Sequence, residues 1–226
     1  MLRVRVRYNQ DMFSFQSLYD TVLNLLLPES DSRLAKVTAA DLLPHLSKAP
    51  SEGECFSLFE YRDALIRDLL LALKFRGKRR IAKVFAEVLY DPLIEELADR
   101  MLFSSFEKPL LTPIPLPPER LRERGYNQVE LIGQALALID NGRAFEWAAD
   151  CLSKKKGVPP QMTLSNREAR EENIRGAFEV VNAPRVAGRN IILLDDITTT
   201  GATLREASAA LRAAGATQVF CVALAH

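Results

Sequence analysis

Residues 190–204 constrain this chain more than any other stretch: Asn-Ile-Ile-Leu-Leu-Asp-Asp-Ile-Thr-Thr-Thr-Gly-Ala-Thr-Leu. Ile191, Ile192, Leu193 and Leu194 form an unbroken apolar run, the pattern of a strand buried on both faces of a parallel sheet. Two carboxylates, Asp195 and Asp196, follow at its end. Thr198, Thr199, Thr200, Gly201, Ala202 and Thr203 then make a hydroxyl-rich turn, and helical spacing runs from Leu204 to Ala214. Loop N–H groups and a helix N-terminus attract a phosphate dianion, and threonine hydroxyls donate to it. Adjacent carboxylates can accept hydrogen bonds from two neighbouring ribose hydroxyls, and Gly201 lets the backbone approach a ligand closely. Helix capping alone requires one such residue. Here two acids and four threonines surround one glycine, so the segment reads as a sugar-phosphate site.

The rest of the chain supplies a setting for it. A strand or extended segment is expected over residues 56–61. A helix follows over 62–74, with Leu65, Ile66, Leu69, Leu70 and Leu73 on one side. A basic turn carrying Lys74, Arg76, Lys78, Arg79 and Arg80 leads into a second helix over 81–97. Residues 108–116 read as a strand breaking into a proline-rich loop over 113–118, and 119–139 as one long helix. Further strands are expected at 146–152, 177–181 and 218–225, with a long polar loop over 153–174. Strands alternating with helices imply βαβ units and a twisted, mainly parallel sheet flanked by helices, an α/β fold. The prolines near position 50 suggest a small helical N-terminal region over 1–50 and a main domain over 51–226. Within the former, residues 13–27 have the spacing of an amphipathic helix, with Phe15, Leu18, Val22, Leu25 and Leu26 on one face.

Bulk properties exclude several classes. The formal net charge of +1 gives no global attraction to nucleic acid. Three cysteines, Cys55, Cys151 and Cys221, lie far apart without a CxxC pair, which suits a reducing cytoplasm better than a disulfide framework. No apolar run reaches the ~18 residues needed to span a bilayer. Arg3, Arg5 and Arg7 ahead of an apolar stretch imitate a signal peptide. Gln16, Asp20 and Asn24 interrupt that stretch, however, and Met12 is a plausible start.

The strand–acid–threonine segment resembles the phosphoribosyl pyrophosphate (PRPP) motif of type I phosphoribosyltransferases. Other blocks resemble the ComF family, with its GntX-like members. They are Tyr61-Arg62, Leu73-Lys74-Phe75, the Pro-Ile-Pro-Leu-Pro-Pro run from Pro113, Leu121-Arg-Glu-Arg-Gly-Tyr-Asn-Gln, Gln161, and Arg167 followed by Asn-Ile-Arg-Gly-Ala-Phe ending at Phe178. These blocks span residues 55–226. The resemblance implies a type I phosphoribosyltransferase-like fold and a link to DNA uptake in natural transformation. Many relatives begin with a four-cysteine zinc segment. Residues 12–50 contain no cysteine, so no zinc is expected. Ahead of Gln161, where the family tends to have arginines and a threonine, this chain has Lys154, Lys156 and Val158. That loses the bidentate grip of an arginine on phosphate.

On this resemblance Thr198, Thr199, Thr200, Gly201, Ala202 and Thr203 hold the 5′-phosphate, and Asp195 and Asp196 take the ribose hydroxyls and serve as the catalytic acids. Pro115, Leu116, Arg122, Arg124, Asn127 and Gln128 are pyrophosphate candidates, although the proline-rich loop reads equally as a rigid connector. Lys154, Lys156, Gln161 and Arg167 lie on a loop that could close over the site. Magnesium is expected with PRPP, without a dedicated set of protein ligands. Lys74, Arg76, Lys78, Arg79 and Arg80 could contact single-stranded DNA or form a solvated helix connection. Two functions follow: a PRPP-binding factor in DNA uptake, and a catalytic phosphoribosyltransferase acting on an unknown nitrogenous acceptor.

Overall fold

A computed structural model describes residues 33–47, 55–155 and 176–226. The chain divides into two compact units, Met1–Lys36 and Val37–His226, so the division falls ahead of the proline-based boundary near residue 50. The amphipathic helix expected at 13–27 lies outside the described residues, as do Lys156, Gln161, Arg167 and most of the long loop.

The larger unit opens with a short helix α1 (Ala39–Leu42), a 3₁₀ turn (Leu43–His45) and strand β1 (Cys55–Phe59). Two helices, α2 (Ala64–Arg76) and α3 (Arg79–Phe103), lead to β2 (Leu110–Pro113). Then come α4 (Pro118–Arg124), α5 (Gln128–Asp140), β3 (Glu146–Trp147), and a pair of strands, β4 (Leu152–Lys154) and β5 (Phe178–Val180). A short helix α6 (Ala183–Val186) precedes β6 (Asn190–Ile197), α7 (Ala202–Ala213) and β7 (Gln218–Ala225). Five strands form one sheet in the order β1-β7-β6-β2-β3, and every pairing within it is parallel. β4 and β5 pair with each other, antiparallel, outside that sheet.

β6 is central because its sequence can be buried on both faces. Ile191, Ile192, Leu193 and Leu194 are all fully buried, and each contributes roughly 1.5–3 kcal/mol of burial. Ile191 and Leu193 pack with Leu204, Ala207 and Leu211 of α7 and with Cys221 of β7. Strand alternation sends Ile192 and Leu194 to the opposite face, where α5 crosses β2 and β6. The same alternation continues into the acids, so Asp195 shares the α7 face and Asp196 the α5 face.

Local signals explain where the elements stop. Asp63 caps α2, its Oδ1 accepting from the N–H groups of Leu65 (2.9 Å) and Ile66 (3.1 Å). Gly77 ends the same helix at φ 58°, a left-handed conformation that favours glycine. α3 continues beyond the expected Leu97 to Phe103, passing through Pro92. The single helix expected over 119–139 is two helices. Gly125 terminates α4 at φ 79°, and Asn127 starts α5 by accepting from Val129 N–H at 3.0 Å. A left-handed glycine followed by an N-cap asparagine stops one helix and starts another, overriding the apolar periodicity on either side. The strand expected over 146–152 is likewise two separate strands, β3 in the main sheet and β4 outside it. Helix α6, with Pro184 in its first turn, was not expected from the sequence.

Candidate functional site

The carboxyl ends of β2, β6 and β7 meet at one edge of the sheet, the position at which open α/β folds bind ligands. Asp195 and Asp196 stand there, 7% and 9% exposed. Asp195 Oδ1 accepts the N–H of Asp196 at 2.9 Å, and Asp196 Oδ1 accepts the N–H of Ile197 at 3.0 Å. The second oxygen of Asp196 accepts from Gln128 Nε2 at 2.8 Å. Burial, with the Asp196 carboxylate alongside, pushes the Asp195 carboxyl well above the usual carboxylate range.

Immediately after β6 the threonine loop folds back onto the sheet. Thr198 N–H donates to Ala225 O at 2.9 Å, which ties the loop to the end of β7. Arg205 Nη1 donates to Thr200 O at 2.5 Å, bracing the loop from the first turn of α7. The N-cap of α7 is Gly201, which has no side chain to occupy the helix N-terminus. Thr199 is exposed, while Thr200, Ala202 and Thr203 are half-buried. The helix dipole, a glycine turn and hydroxyls on the loop combine into a site suited to a phosphate dianion. The acid pair lies one strand end away.

The proline-rich loop reaches the same edge. Ile114 N–H donates to Leu194 O at 2.8 Å, so β2 stays beside β6 up to the residue before Asp195. Asn127 Nδ2 donates to Ile114 O at 2.9 Å, fixing the start of α5 against this loop. Pro115 and Leu116 follow, half-buried. Gln128 then links two candidates: its Oε1 accepts from Arg124 Nη1 at 2.5 Å, while its Nε2 holds Asp196. The structure therefore links Arg124 and Gln128 to Asp196, whereas Asn127 is engaged with Ile114 and Val129 at the start of α5. Arg122 is exposed on α4 and enters none of these contacts among the described residues.

Two lysines complete the surroundings. Lys154, read from sequence as a loop residue, ends β4, with its Nζ 5.2 Å from the centre of the Phe178 ring. Burial pulls its ammonium below the usual lysine range, opposed by Asp195. Lys74, grouped by sequence with the basic turn, is partly buried near the acids; burial pulls it down too, with Asp196 opposing and Arg124 and Arg120 reinforcing. The basic cluster is thus divided. Arg80 Nη2 donates to Val37 O at 2.7 Å, and Arg79 is exposed. Tyr126, unassigned by sequence reasoning, donates its hydroxyl to Lys74 O at 3.0 Å. Its signal was its place between Gly125 and Asn127, where two helices must be joined.

Among the described residues, no group of three or more His, Cys, Asp or Glu side chains gathers in a way that could hold a metal ion. No helix among them is long and apolar enough to cross a membrane.

A family model described as a phosphoribosyl transferase domain matches residues 144–226. The chain is 31% identical over 179 residues to the DNA utilization protein YhgH of Escherichia coli O6:H1, covering 78% of this chain and 74% of that protein. It is 28% identical over 155 residues to the competence protein ComFC of Bacillus subtilis, covering 69% of this chain and 56% of that protein. The chain belongs to the ComF family. Its fold is that of the type I phosphoribosyltransferases, a parallel α/β sheet with flanking helices. In this ComF chain the matched model begins at Ala144 and takes in β6, the acid pair and the threonine loop. Lys74, Arg124 and Gln128 lie outside it and join the site through the folding of α2, α4 and α5.

Proposed function

We propose that this ComF-family chain binds PRPP at the end of β6 and acts in DNA uptake or utilization. The observation that carries the donor reading is the buried acid pair followed directly by the threonine loop and the α7 N-terminus. The loop takes the 5′-phosphate, and Asp195 and Asp196 take the ribose hydroxyls. The anomeric substituent then points toward the proline-rich loop and Arg124. Magnesium fits this donor through pyrophosphate, ribose and water oxygens, with the carboxylates beside it rather than forming a dedicated protein shell. When bound, it neutralises the pyrophosphate.

The same arrangement is suited to transfer chemistry. The bond from the anomeric carbon to pyrophosphate oxygen breaks, and pyrophosphate leaves with the electron pair. The lone pair of a nitrogenous acceptor forms the new C–N bond as its N–H proton passes to water or the departing pyrophosphate. The acids stabilise the positive charge that develops on the ribose, and Arg124 the negative charge on the leaving group. The role in DNA handling draws support from the names of the relatives, a DNA utilization protein and a competence protein.

Isothermal titration with PRPP and magnesium tests the donor site. Saturable binding that disappears in the Asp195→Asn/Asp196→Asn double variant supports it, and no binding by the wild type refutes it. Pyrophosphate release on adding a panel of bases, amines and glutamine separates turnover from binding alone. Salt-sensitive binding of single-stranded DNA, weakened by Lys78→Ala/Arg79→Ala/Arg80→Ala, tests the nucleic-acid role.

A further inference from the structure

One concentration of positive charge lies outside the phosphate loop and outside the matched family domain. Lys74 Nζ sits 5.4 Å from the centre of the Phe75 ring, and Arg124 Cζ sits 5.9 Å from the same ring. The two come from elements far apart in sequence, α2 and α4. They are held together because Tyr126 donates to Lys74 O at 3.0 Å, and because the Tyr126 ring lies against Gly77. A Cβ on that glycine would fall 2.7 Å from the ring. From Arg124 the contacts run on through Gln128 Oε1 (2.5 Å) and from Gln128 Nε2 to Asp196 (2.8 Å). Arg120, on the same turn of α4, is engaged with Glu123 at 3.4 Å. Lys74 makes no ion pair among the described residues.

Burial and the neighbouring Arg124 and Arg120 work against the charge on Lys74, and Asp196 and Asp195 offset them only in part, so a further anion between the two cations is favoured. The position of the pair indicates which anion. On the donor reading, with the 5′-phosphate at the α7 N-terminus and the ribose on Asp195 and Asp196, the anomeric substituent would extend away from α7 toward the α5 face, where Gln128 holds Asp196. We propose that Lys74 is a ligand-binding residue of this site, gripping with Arg124 the diphosphate arm of the donor. This rests on the donor reading above. It gives the α2–α3 hairpin a part in recognition: α2 delivers an ammonium to a site otherwise built from the sheet edge, α4, α5 and α7.

The experiment compares two ligands on three proteins. PRPP and ribose 5-phosphate are titrated, with magnesium, into the wild type, Lys74→Met and Lys74→Arg. Methionine keeps the length and apolar stem of the side chain in its half-buried place, and arginine keeps the charge. The expected result is that Lys74→Met weakens PRPP about tenfold or more, leaves ribose 5-phosphate within about twofold, and that Lys74→Arg restores most of the loss. Equal weakening of both ligands would overturn the proposal, because Lys74 would then act only by orienting the acid pair. Unchanged PRPP affinity in Lys74→Met would overturn it as well, while leaving the donor site intact. Failure of the wild type to bind either ligand would instead overturn the donor reading itself, and Lys74 with it.

Discussion

Replacing Gly77 with alanine should be far more damaging than the same change at Gly125, although both glycines end helices in the left-handed conformation. At Gly125, φ is 79° and a Cβ would meet nothing within 4 Å. The cost of Gly125→Ala is then the backbone preference alone, about 1–2 kcal/mol. At Gly77, φ is 58°, and a Cβ would lie 2.7 Å from Cε1 and 2.9 Å from Cζ of Tyr126. The ring cannot swing aside freely, because its hydroxyl is bonded to Lys74 O at 3.0 Å. The backbone term is therefore joined by an overpacking term of about 1–3 kcal/mol and by loss of a hydrogen bond worth about 0.5–1.5 kcal/mol. Together they give roughly 3–6 kcal/mol. At about 2–4 °C per kcal/mol for a chain this size, the midpoint falls by roughly 6–24 °C for Gly77→Ala and 2–8 °C for Gly125→Ala. Urea and thermal melts followed by the single tryptophan, Trp147, measure both. A double-mutant cycle with Tyr126→Ala isolates the contact: without the ring, Gly77→Ala should cost only the backbone term. Equal destabilisation by the two alanines, or a coupling energy below about 0.5 kcal/mol, would refute the claim that Tyr126 clamps the α2–α3 turn to the site.

Three further outcomes are expected. Asp195 holds its proton to higher pH when folded than when unfolded. Stability therefore falls as pH rises from the ordinary carboxylate range through the raised value, and above it the buried charge acts in full. Asp195→Asn keeps an acceptor for Asp196 N–H and should raise stability at pH 8 by roughly 0.5–2 kcal/mol. The gain should shrink toward pH 4 in parallel urea melts, and PRPP binding should be lost. Gln128→Leu removes the bonds to both Arg124 and Asp196. It should weaken ribose 5-phosphate about tenfold and PRPP at least as much in titrations, in contrast to Lys74→Met, which should leave ribose 5-phosphate nearly unchanged. Burial, with Cys221 and Asp195 nearby, pushes the Cys55 thiol up to about 12. The folded protein should therefore resist Ellman's reagent at pH 8 and react only after unfolding.

The parts of this molecule that were legible in sequence are those specified locally. The four apolar residues of β6 can be satisfied only in a sheet covered on both faces, and they occupy its centre. The acid pair and threonine loop are contiguous, so their adjacency in space follows from adjacency in sequence. The missed helix break was also local: Gly125 and Asn127 signal a stop and a start two residues apart, yet the apolar spacing on either side masked them. Lys74 was different in kind. In sequence it is one of several neighbouring cations, and although Leu73-Lys74-Phe75 carries part of the family resemblance, no spacing gives Lys74 a role apart from Arg79 or Arg80. What separates them is which side of α2 and α3 faces α4, and that depends on Tyr126, Gly77 and the sheet order. Residues brought together by topology carry no pattern of their own in a single sequence.

The same topology makes the two acids unequal, although the sequence presents them as a pair. Strand alternation turns Asp195 toward α7, where Lys154 and the half-buried thiol of Cys55 are near it. Asp196 turns toward α5, where Gln128 donates to it and Lys74 and Arg124 are close. Burial beside another carboxylate raises the affinity of the Asp195 carboxyl for a proton, and a bound dication or a developing positive charge on ribose would oppose it. Asp196 is linked through Gln128 to Arg124, the group proposed to meet the pyrophosphate. If PRPP binds as proposed, the carboxylate on one face would respond to charge at the ribose, and the carboxylate on the other would be linked to charge at the leaving group. A ligand with both charges engages both faces of β6 at once. That predicts proton release from Asp195 on binding PRPP with magnesium, readable as a buffer-dependent heat in titration calorimetry. Asp195→Asn/Asp196→Asn should abolish that heat, and Lys74→Met, measured at saturating PRPP, should leave it.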